Sequence, residues 1–191
     1  MKRYGLIGRT LTHSFSETYF SKKFVEEGLT DVCYQNFELP AADELPQLLI
    51  KFPDLKGLNV TIPYKEDVLP FLNEKNKIVE DIGACNCIKI EGNNLTGYNT
   101  DVIGFRQSIQ PKLKKHHKKA LILGTGGVSK AIRYVLNELG IEYCLVSRRK
   151  KDGELGYEDL GAEVLSKYQV IINTTPLGMF PNITDDPSVP Y

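Results

Sequence analysis

The segment "ALILGTGGVSKAIRYVLNELGIEYCLV", which begins at residue 120, constrains the fold of this 191-residue chain more than any other feature. Residues 120–123 form an apolar run typical of a buried strand, and the glycines that follow predict a tight turn. Apolar residues then recur at helical spacing over residues 128–139, and residues 143–146 and 170–173 predict two more strands. This βαβαβ order is one half of a doubly wound dinucleotide-binding fold.

The glycine turn has a chemical interpretation. A glycine-rich turn between a strand and a helix lets the backbone approach a pyrophosphate, and the helix N-terminus supplies unsatisfied N–H groups. The pattern here is G-x-G-G, with Ser129 where the usual fingerprint has its third glycine or alanine. A purely structural turn is the alternative. The flanking strand and helix favour the nucleotide site.

The residues after the second strand of this unit bear on the choice of cofactor. An acidic side chain there would accept a hydrogen bond from the ribose of NAD, whereas an arginine can hold the 2′-phosphate of NADP. The chain has Ser147, Arg148, Arg149 and Lys150, and no carboxylate precedes Asp152. The pattern therefore favours NADP, with exposed loop cations as the alternative.

The first part of the chain also alternates strands and helices. Strands are predicted at residues 4–7, 32–37 and 59–62, and a hairpin at 88–90 and 95–98. Helices are predicted after Ser14, whose spacing to Glu17 fits a capping box, at residues 42–52 and from Glu66. We expect an N-terminal α/β domain with a mixed sheet, followed by a doubly wound, Rossmann-like domain that is only partly present.

The run "KLKKHHKK" at residues 112–119 is the one shift in composition along the chain. A metal or nucleic-acid patch is an alternative, but the run has no aromatic residues and no further ligands, so a solvated linker is favoured. The expected domains are therefore residues 1–111 for substrate binding and catalysis, 112–119 as a basic linker, and 120–191 as a partial dinucleotide-binding domain.

Several polar residues of the first domain fall at predicted strand ends or loops. Lys65 follows a strand that Pro63 ends, in "GLNVTIPYKEDV", and Ser14 and Ser16 stand at a helix N-terminus, where a carboxylate would find donors. Each has a simpler interpretation as a helix cap or a solvated side chain. Ligands collect at the strand ends of α/β sheets, which favours a shared site. The set is Ser14, Thr61, Lys65, Asn86 and Asp101.

Composition narrows the class of partner. The formal net charge is zero and the pI is near 6.8, so we expect small-molecule partners and neither nucleic acid nor a membrane.

"MKRYGLIGRT" lacks the apolar core of a signal peptide, so we expect a cytoplasmic protein with reduced thiols. The C-x-C formed by Cys85 and Cys87 has no second ligand pair, so no metal site is predicted. Sequence does not fix the oligomeric state, and a homodimer is retained as an expectation.

Seven ordered blocks resemble the shikimate dehydrogenase family over residues 5–179. They are "GLIGRTLTHSFS", "GLNVTIPYK", "GACNCIKI", "GYNTDVIGF", "LILGTGGVSKAI", "VSRR" and "NTTPLGM". The resemblance implies NADP-dependent, reversible reduction of 3-dehydroshikimate to shikimate, on the pathway to aromatic amino acids.

The resemblance also implies roles for individual residues. Lys65 and Asp101 would be the catalytic pair. The substrate carboxylate would be held by Ser14 and Ser16, and the ring hydroxyls by Thr61, Asn86, Lys65 and Asp101. The pyrophosphate would be lined by Gly124, Thr125, Gly126, Gly127 and Val128. The 2′-phosphate would lie near Ser147, Arg148 and Arg149, and the ribose or nicotinamide beside Thr174.

The chain departs from the family pattern at Thr10 and Glu17, where proline is usual, and at Cys87, where threonine is usual. Members of the family continue with further strands, a loop over the nicotinamide, a substrate-contacting glutamine and terminal helices, so we expect a truncated or incompletely represented chain. Two alternatives remain open. One is a quinate/shikimate dehydrogenase that uses NAD; the other, if the chain ends at residue 191, is a non-catalytic shikimate- or nucleotide-binding protein.

Overall fold

The computed structural model describes residues 1–180 and 183–190. The chain divides into two compact units, Met1–Thr100 and Asp101–Tyr191. The second unit includes residues 101–119 because the helix at its start packs on the helix after the glycine turn. The functional segments 1–111, 112–119 and 120–191 stay a prediction, and residues 181, 182 and 191 of the last segment lie outside the described residues.

The first unit is built on a six-stranded mixed sheet, as predicted, in the order β2-β1-β3-β5-β6-β4. Its strands are β1 (Lys2–Gly8), β2 (Val32–Glu38), β3 (Leu55–Val60), β4 (Glu74–Lys75), β5 (Cys87–Glu91) and β6 (Asn94–Tyr98). Its helices are α1 (Ser16–Glu26), α2 (Leu45–Lys51) and α3 (Lys77–Ile82). Strands β1, β2 and β3 are parallel, whereas β5 runs antiparallel to both β3 and β6. The parallel strands therefore share one carboxyl edge.

Alternation along β1 supplies apolar side chains to both faces of this sheet. Ile7 joins the main core with Leu58, Val60 and Ile88, while Leu6 packs on the opposite face with Tyr34 and helix α1. The Phe37 ring of β2 leaves no room for a side chain at Gly5 of β1, where an added Cβ would lie 2.4 Å from that ring. β1 is therefore a central strand covered on both sides.

The second unit confirms the predicted βαβαβ order. It contains α4 (Asp101–Ile109), β7 (Lys119–Leu123), α5 (Gly127–Glu138), β8 (Glu142–Val146), α6 (Ala162–Leu165) and β9 (Val170–Asn173). The three strands are parallel in the order β8-β7-β9. Ile122 packs towards α5 and Leu121 towards α6, so helices cover both faces, as a doubly wound fold requires.

Two local predictions are wrong. The helix predicted from Glu66 is a series of turns ending in the short 3₁₀ helix Leu69–Phe71, because Pro70 would remove an interior N–H. The strand predicted at residues 59–62 lies at Leu55–Val60, where it pairs with β1. The helix predicted at residues 42–52 is confirmed, with a first turn in the 3₁₀ conformation, Ala42–Glu44, that leads directly into α2. Among the described residues no helix is long and apolar enough to cross a membrane.

Candidate functional site

The loop that carries Ser14 and Ser16 is held from two sides. The predicted capping box is wrong: Ser14 Oγ accepts from the Ser16 N–H at 3.3 Å, but Glu17 turns to edge strand β2, where its Oε2 accepts from the Asn36 N–H at 3.2 Å. Further along β2, Glu38 Oε1 accepts from the Leu11 N–H at 2.5 Å. Both carboxylates fix the loop against β2, leaving the two serines half-buried at its end.

The turn after β3 presents Lys65. The Thr61 N–H donates to the Ile7 carbonyl at 3.0 Å, the Ile62–Pro63 peptide is cis, and Tyr64 is buried, its hydroxyl donating to the Leu39 carbonyl at 2.6 Å. Burial of this tyrosine anchors the turn in the core. Lys65 next to it is half-buried.

The segment before β5 lies against the same turn. The Cys85 N–H donates to the Lys65 carbonyl at 2.7 Å, and the Val60 N–H donates to the Asn86 carbonyl at 2.9 Å. The structure therefore brings three predicted site residues, Thr61, Lys65 and Asn86, to the carboxyl end of β3.

Asn86 is almost fully buried and pairs with Thr100. Its Oδ1 accepts from the Thr100 N–H at 2.8 Å, and its Nδ2 donates to Thr100 Oγ1 at 2.9 Å. Asn99 is also buried and donates to the Ala84 carbonyl at 3.0 Å. These amides fix the backbone up to the residue before Asp101, which begins α4 in the second unit.

Two polar residues near the serines were missed from the sequence. Tyr34, on β2, donates from its hydroxyl to Asn59 Oδ1 on β3 at 2.8 Å. Desolvation by burial raises the pKa of Tyr34 to about 12. Polar residues at alternate positions of β2, Tyr34, Asn36 and Glu38, were the available signal.

The glycine turn of the second unit is shaped by close backbone approach. Gly124 has a φ of 104°, and a Cβ there would lie 2.9 Å from Thr174 Oγ1. Thr174 lies there because its N–H and Oγ1 both donate to the Leu123 carbonyl, at 2.9 and 2.7 Å. The structure thus brings together two predicted cofactor residues that are 50 positions apart in the chain.

The start of α5 is open to an anion. Gly126 is the N-cap and, within the described residues, no side chain caps the helix. Ser129 explains the departure from the glycine fingerprint: it is buried, and its hydroxyl donates back to the Gly126 carbonyl at 2.6 Å. A serine is therefore accommodated without blocking the N–H groups that a phosphate would use. Gly127 and Val128 form the first turn, and Thr125 is exposed.

The cations after β8 divide into two groups. Lys150 is paired with Asp159 at 2.8 Å and with Glu158 at 3.5 Å. The Lys150 ammonium and the Gly156 N–H lower the pKa of the Asp159 carboxyl. Arg148 and Arg149 are exposed, and the Arg149 N–H donates to Ser147 Oγ at 3.2 Å. Within the described residues no ion pair involves Arg148 or Arg149, so both guanidinium groups remain accessible to an anion.

The cysteines are free thiols. Desolvation by burial raises the pKa of Cys85 to about 11 and also raises that of Cys87. Thiols that resist deprotonation are poor metal ligands. In the part of the chain that the structure describes, no group of three or more His, Cys, Asp or Glu residues could hold a metal ion.

Comparison with known proteins covers both units. Residues 6–88 match the family model of the shikimate dehydrogenase substrate binding domain. A curated shikimate dehydrogenase (NADP(+)) from Caldicellulosiruptor saccharolyticus is 37% identical over 203 residues, covering 98% of this chain and 72% of the relative.

Two solved structures extend the comparison. Shikimate dehydrogenase 1 from Peptoclostridium difficile is 35% identical, with a TM-score of 0.85 over 98% of this chain and 71% of the other. The shikimate 5-dehydrogenase from Thermus thermophilus, solved with NADP(H) and shikimate, is 25% identical, with a TM-score of 0.83 over 100% of this chain and 74% of the other.

Proposed function

The chain belongs to the shikimate dehydrogenase family, and from this membership we infer that it catalyses the reversible, NADP-dependent reduction of 3-dehydroshikimate to shikimate. The observation that carries this inference is the match to a relative named for this activity, because that match extends across both compact units. The chain is accordingly an NADP-dependent oxidoreductase of the shikimate pathway, which leads to aromatic amino acids.

The second unit suits NADP. The uncapped start of α5 offers N–H groups to a pyrophosphate. Because Gly124 has no side chain, Thr174 can lie close to the turn. Arg148 and Arg149 follow β8, where a 2′-phosphate is bound in this fold. In our proposal the residues around the cofactor are Gly124, Thr125, Gly126, Gly127, Val128, Ser147, Arg148, Arg149 and Thr174. When bound, NADP supplies or accepts the hydride.

The first unit holds the substrate in our proposal. Ser14 and Ser16 donate to the carboxylate of shikimate, and Thr61, Lys65, Asn86 and Asp101 bind the ring hydroxyls. Support comes from the contacts that tie Thr61, Lys65 and Asn86 to one strand end, and from the two carboxylates that fix the serine loop. A preorganised site of this kind loses little entropy when ligand binds.

Lys65 and Asp101 carry the proton in our proposal. Oxidation of the alcohol removes a hydride from carbon, so the hydroxyl proton must leave as the carbonyl forms. A lysine and a carboxylate can share that task, since the carboxylate orients the ammonium and the ammonium donates to the carbonyl oxygen in the reverse direction.

A two-by-two assay tests the function. Shikimate and quinate are each offered with NADP⁺ and with NAD⁺, and reduced nicotinamide is followed by absorbance. We expect shikimate with NADP⁺ to give the highest kcat/KM. A preference for quinate or for NAD⁺ would replace the proposed specificity with that of a quinate/shikimate enzyme. Shikimate binding by calorimetry without turnover would replace the enzyme with a non-catalytic binding protein.

Two further properties belong to the same proposal. We propose that the chain acts in the cytoplasm and that it forms a homodimer. Light scattering on the purified protein tests the second point. A mass equal to that of one chain across the working concentration range contradicts the dimer.

A further inference from the structure

We propose that Glu17 and Glu38 clamp the serine loop, residues 11–17, to strand β2. This clamp sets the affinity for shikimate by holding Ser14 and Ser16 in place. The proposal rests on the proposed function, because it takes the two serines to be ligands of the substrate carboxylate. Both glutamates are positioning residues that act through the loop. Since the loop leads from β1 into α1, its conformation decides where the serines lie.

The two carboxylates fasten opposite ends of the serine loop. At one end Glu38 reaches from β2 to the loop, where its Oε1 accepts from the Leu11 N–H at 2.5 Å. At the other end Glu17 reaches from the loop to β2, where its Oε2 accepts from the Asn36 N–H at 3.2 Å. Because β2 is an edge strand, its outer backbone groups are available to such a side chain. A carboxylate also accepts more strongly than a neutral oxygen, so each end is firmly held.

Between its two fastened ends the loop is held by short-range contacts. The Leu11 side chain is buried on the face of the sheet that α1 covers. The Ser14 N–H donates to the Leu11 carbonyl at 2.8 Å, and the Ser16 N–H donates to Ser14 Oγ at 3.3 Å. A hydroxyl that accepts in this way keeps its own proton for another acceptor. Ser14 can therefore donate to a carboxylate while it still supports the loop.

Charge alone would give Glu17 the opposite effect on binding. It lies in the first turn of α1, where a carboxylate could compete with the substrate for the N–H groups of the helix N-terminus and would repel it. Its hydrogen bond commits it to β2 instead. If repulsion decided the affinity, removing Glu17 would tighten shikimate binding. If the clamp decides it, removal weakens binding, so the sign of the change separates the two.

The experiment measures shikimate binding by calorimetry and turnover by steady-state kinetics. For Glu17→Ala we expect the Kd and the KM for shikimate to rise about fivefold, as for the loss of one hydrogen bond. Glu17→Gln keeps an acceptor oxygen and removes the charge, so it should bind shikimate at least as tightly as wild type. Because the clamp acts on binding and not on the reacting atoms, kcat should stay within about twofold in both variants.

Glu26→Ala is the matched control, and Glu38→Ala tests the other end of the clamp. Glu26 lies at the far end of the same helix, is exposed and pairs with Lys22 at 3.6 Å. Its removal should leave the Kd as in wild type. Glu38 is exposed, whereas Glu17 is half-buried, so Glu38→Ala should raise the Kd less, by about two- to threefold.

A Ser16→Ala background separates positioning from a general structural effect. There Glu17→Ala should raise the Kd by no more than about twofold, because the serine next to it is gone. Urea midpoints should show that every variant is folded under the assay conditions. If Glu17→Ala binds shikimate as tightly as wild type or more tightly, or if its loss is equally large on the Ser16→Ala background, the clamp is overturned while the proposed function stands. If wild type neither binds nor oxidises shikimate, the proposed function itself is overturned.

Discussion

The glycine turn, which is our proposed cofactor site, and the loop that carries Ser14 and Ser16, which is part of our proposed substrate site, are built in opposite ways. Around the glycine turn the strand, turn and helix follow one another between residues 119 and 138, and backbone groups form the surface offered to a ligand. Around the serines, side chains join distant segments, as Glu38 does with Leu11 and Tyr34 with Asn59. A backbone site should therefore be most sensitive to an added Cβ, and a side-chain site to the loss of one polar group.

The largest effect is expected at Lys65, whose side chain, in our proposal, takes part in proton transfer as well as substrate binding. Replacing it with alanine should lower kcat by about 1,000-fold, the middle of the range for general acid–base catalysis, while KM for shikimate changes far less. Steady-state kinetics with shikimate and NADP⁺ provide the measurement. An unchanged kcat would refute a chemical role.

Lys56 offers a matched control for this change. It lies on β3 in the same unit, is exposed, and has no part in the proposed site. Lys56→Ala should leave kcat and KM within about twofold of wild type, as for a surface lysine. Equal losses in both variants would mean that charge on this unit, and not the position of Lys65, sets the rate.

The contrast between the regions also explains which parts could be predicted. The βαβαβ unit was predicted correctly because strand, glycine turn and helix are local patterns. Strand β9 occupies the predicted residues, and the helix begins at Gly127 beside the turn. The hairpin of β5 and β6 was predicted for the same reason, since Gly92 marks its turn with a φ of 62°.

The substrate side was predicted less well because its contacts are non-local. Glu17 was expected to cap α1, but the N–H of Asn36 on an edge strand competes for the carboxylate, and only the fold brings that N–H near. Tyr34 and Asn59 have the same character, being 25 positions apart. The helix expected from Glu66 failed for a local reason, Pro70, which the sequence already contained.

A second prediction concerns cofactor selection and carries a smaller effect. The double variant Arg148→Ala/Arg149→Ala should raise KM for NADP⁺ by about 10- to 100-fold, the worth of one charge-assisted hydrogen bond or more, and should leave KM for NAD⁺ nearly unchanged. The proposed contacts to the 2′-phosphate come from side chains, although the proposed pyrophosphate contacts in the same unit come from the backbone. This test therefore shows whether the second unit also depends on individual side chains.

Lys150→Ala is the control for the arginines. Lys150 is already committed to Asp159 and Glu158, so its removal should change the NADP⁺ KM by less than about threefold, as expected for a cation that does not reach the phosphate. An equal rise in KM for both cofactors in the double arginine variant would contradict selection through the 2′-phosphate.

A third prediction separates two glycines of the same turn. Gly124→Ala should lower the free energy of unfolding by about 1–3 kcal/mol, because φ is 104° and the new Cβ would meet Thr174 Oγ1. Gly126 has a φ of −75°, and a Cβ there would have no described atom within 4 Å, so Gly126→Ala should leave stability nearly unchanged. Urea unfolding measures both.

The kinetics of the same two variants sharpen the point. Gly126→Ala places a methyl group where a pyrophosphate would lie, so KM for NADP⁺ should rise although the fold is intact. If Gly126→Ala binds NADP⁺ as wild type does, the cradle is not at this turn. If Gly124→Ala is as stable as wild type, close approach to Thr174 does not constrain the backbone.

The smallest effect is expected from a polar contact at the other end of the first sheet. At the amino ends of β1 and β3, Arg3 Nε lies 3.1 Å from Asp54 Oδ1, and the guanidinium lowers the pKa of the Asp54 carboxyl below its ordinary value. A carboxyl with a depressed pKa in the folded state stabilises the protein above its unfolded pKa, and this contribution disappears as the pH falls through the folded value. Asp54→Asn should therefore lower the urea midpoint slightly at pH 7, and its midpoint should converge with that of wild type under acid conditions.

Asp31→Asn is the control for this change. It removes an exposed partner 3.7 Å from Lys2 and should change the urea midpoint less. Since our proposed substrate site lies at the carboxyl ends of these strands, Asp54→Asn should leave the KM for shikimate unchanged. A rise in KM would show that polar contacts at the opposite end of the sheet affect the proposed site.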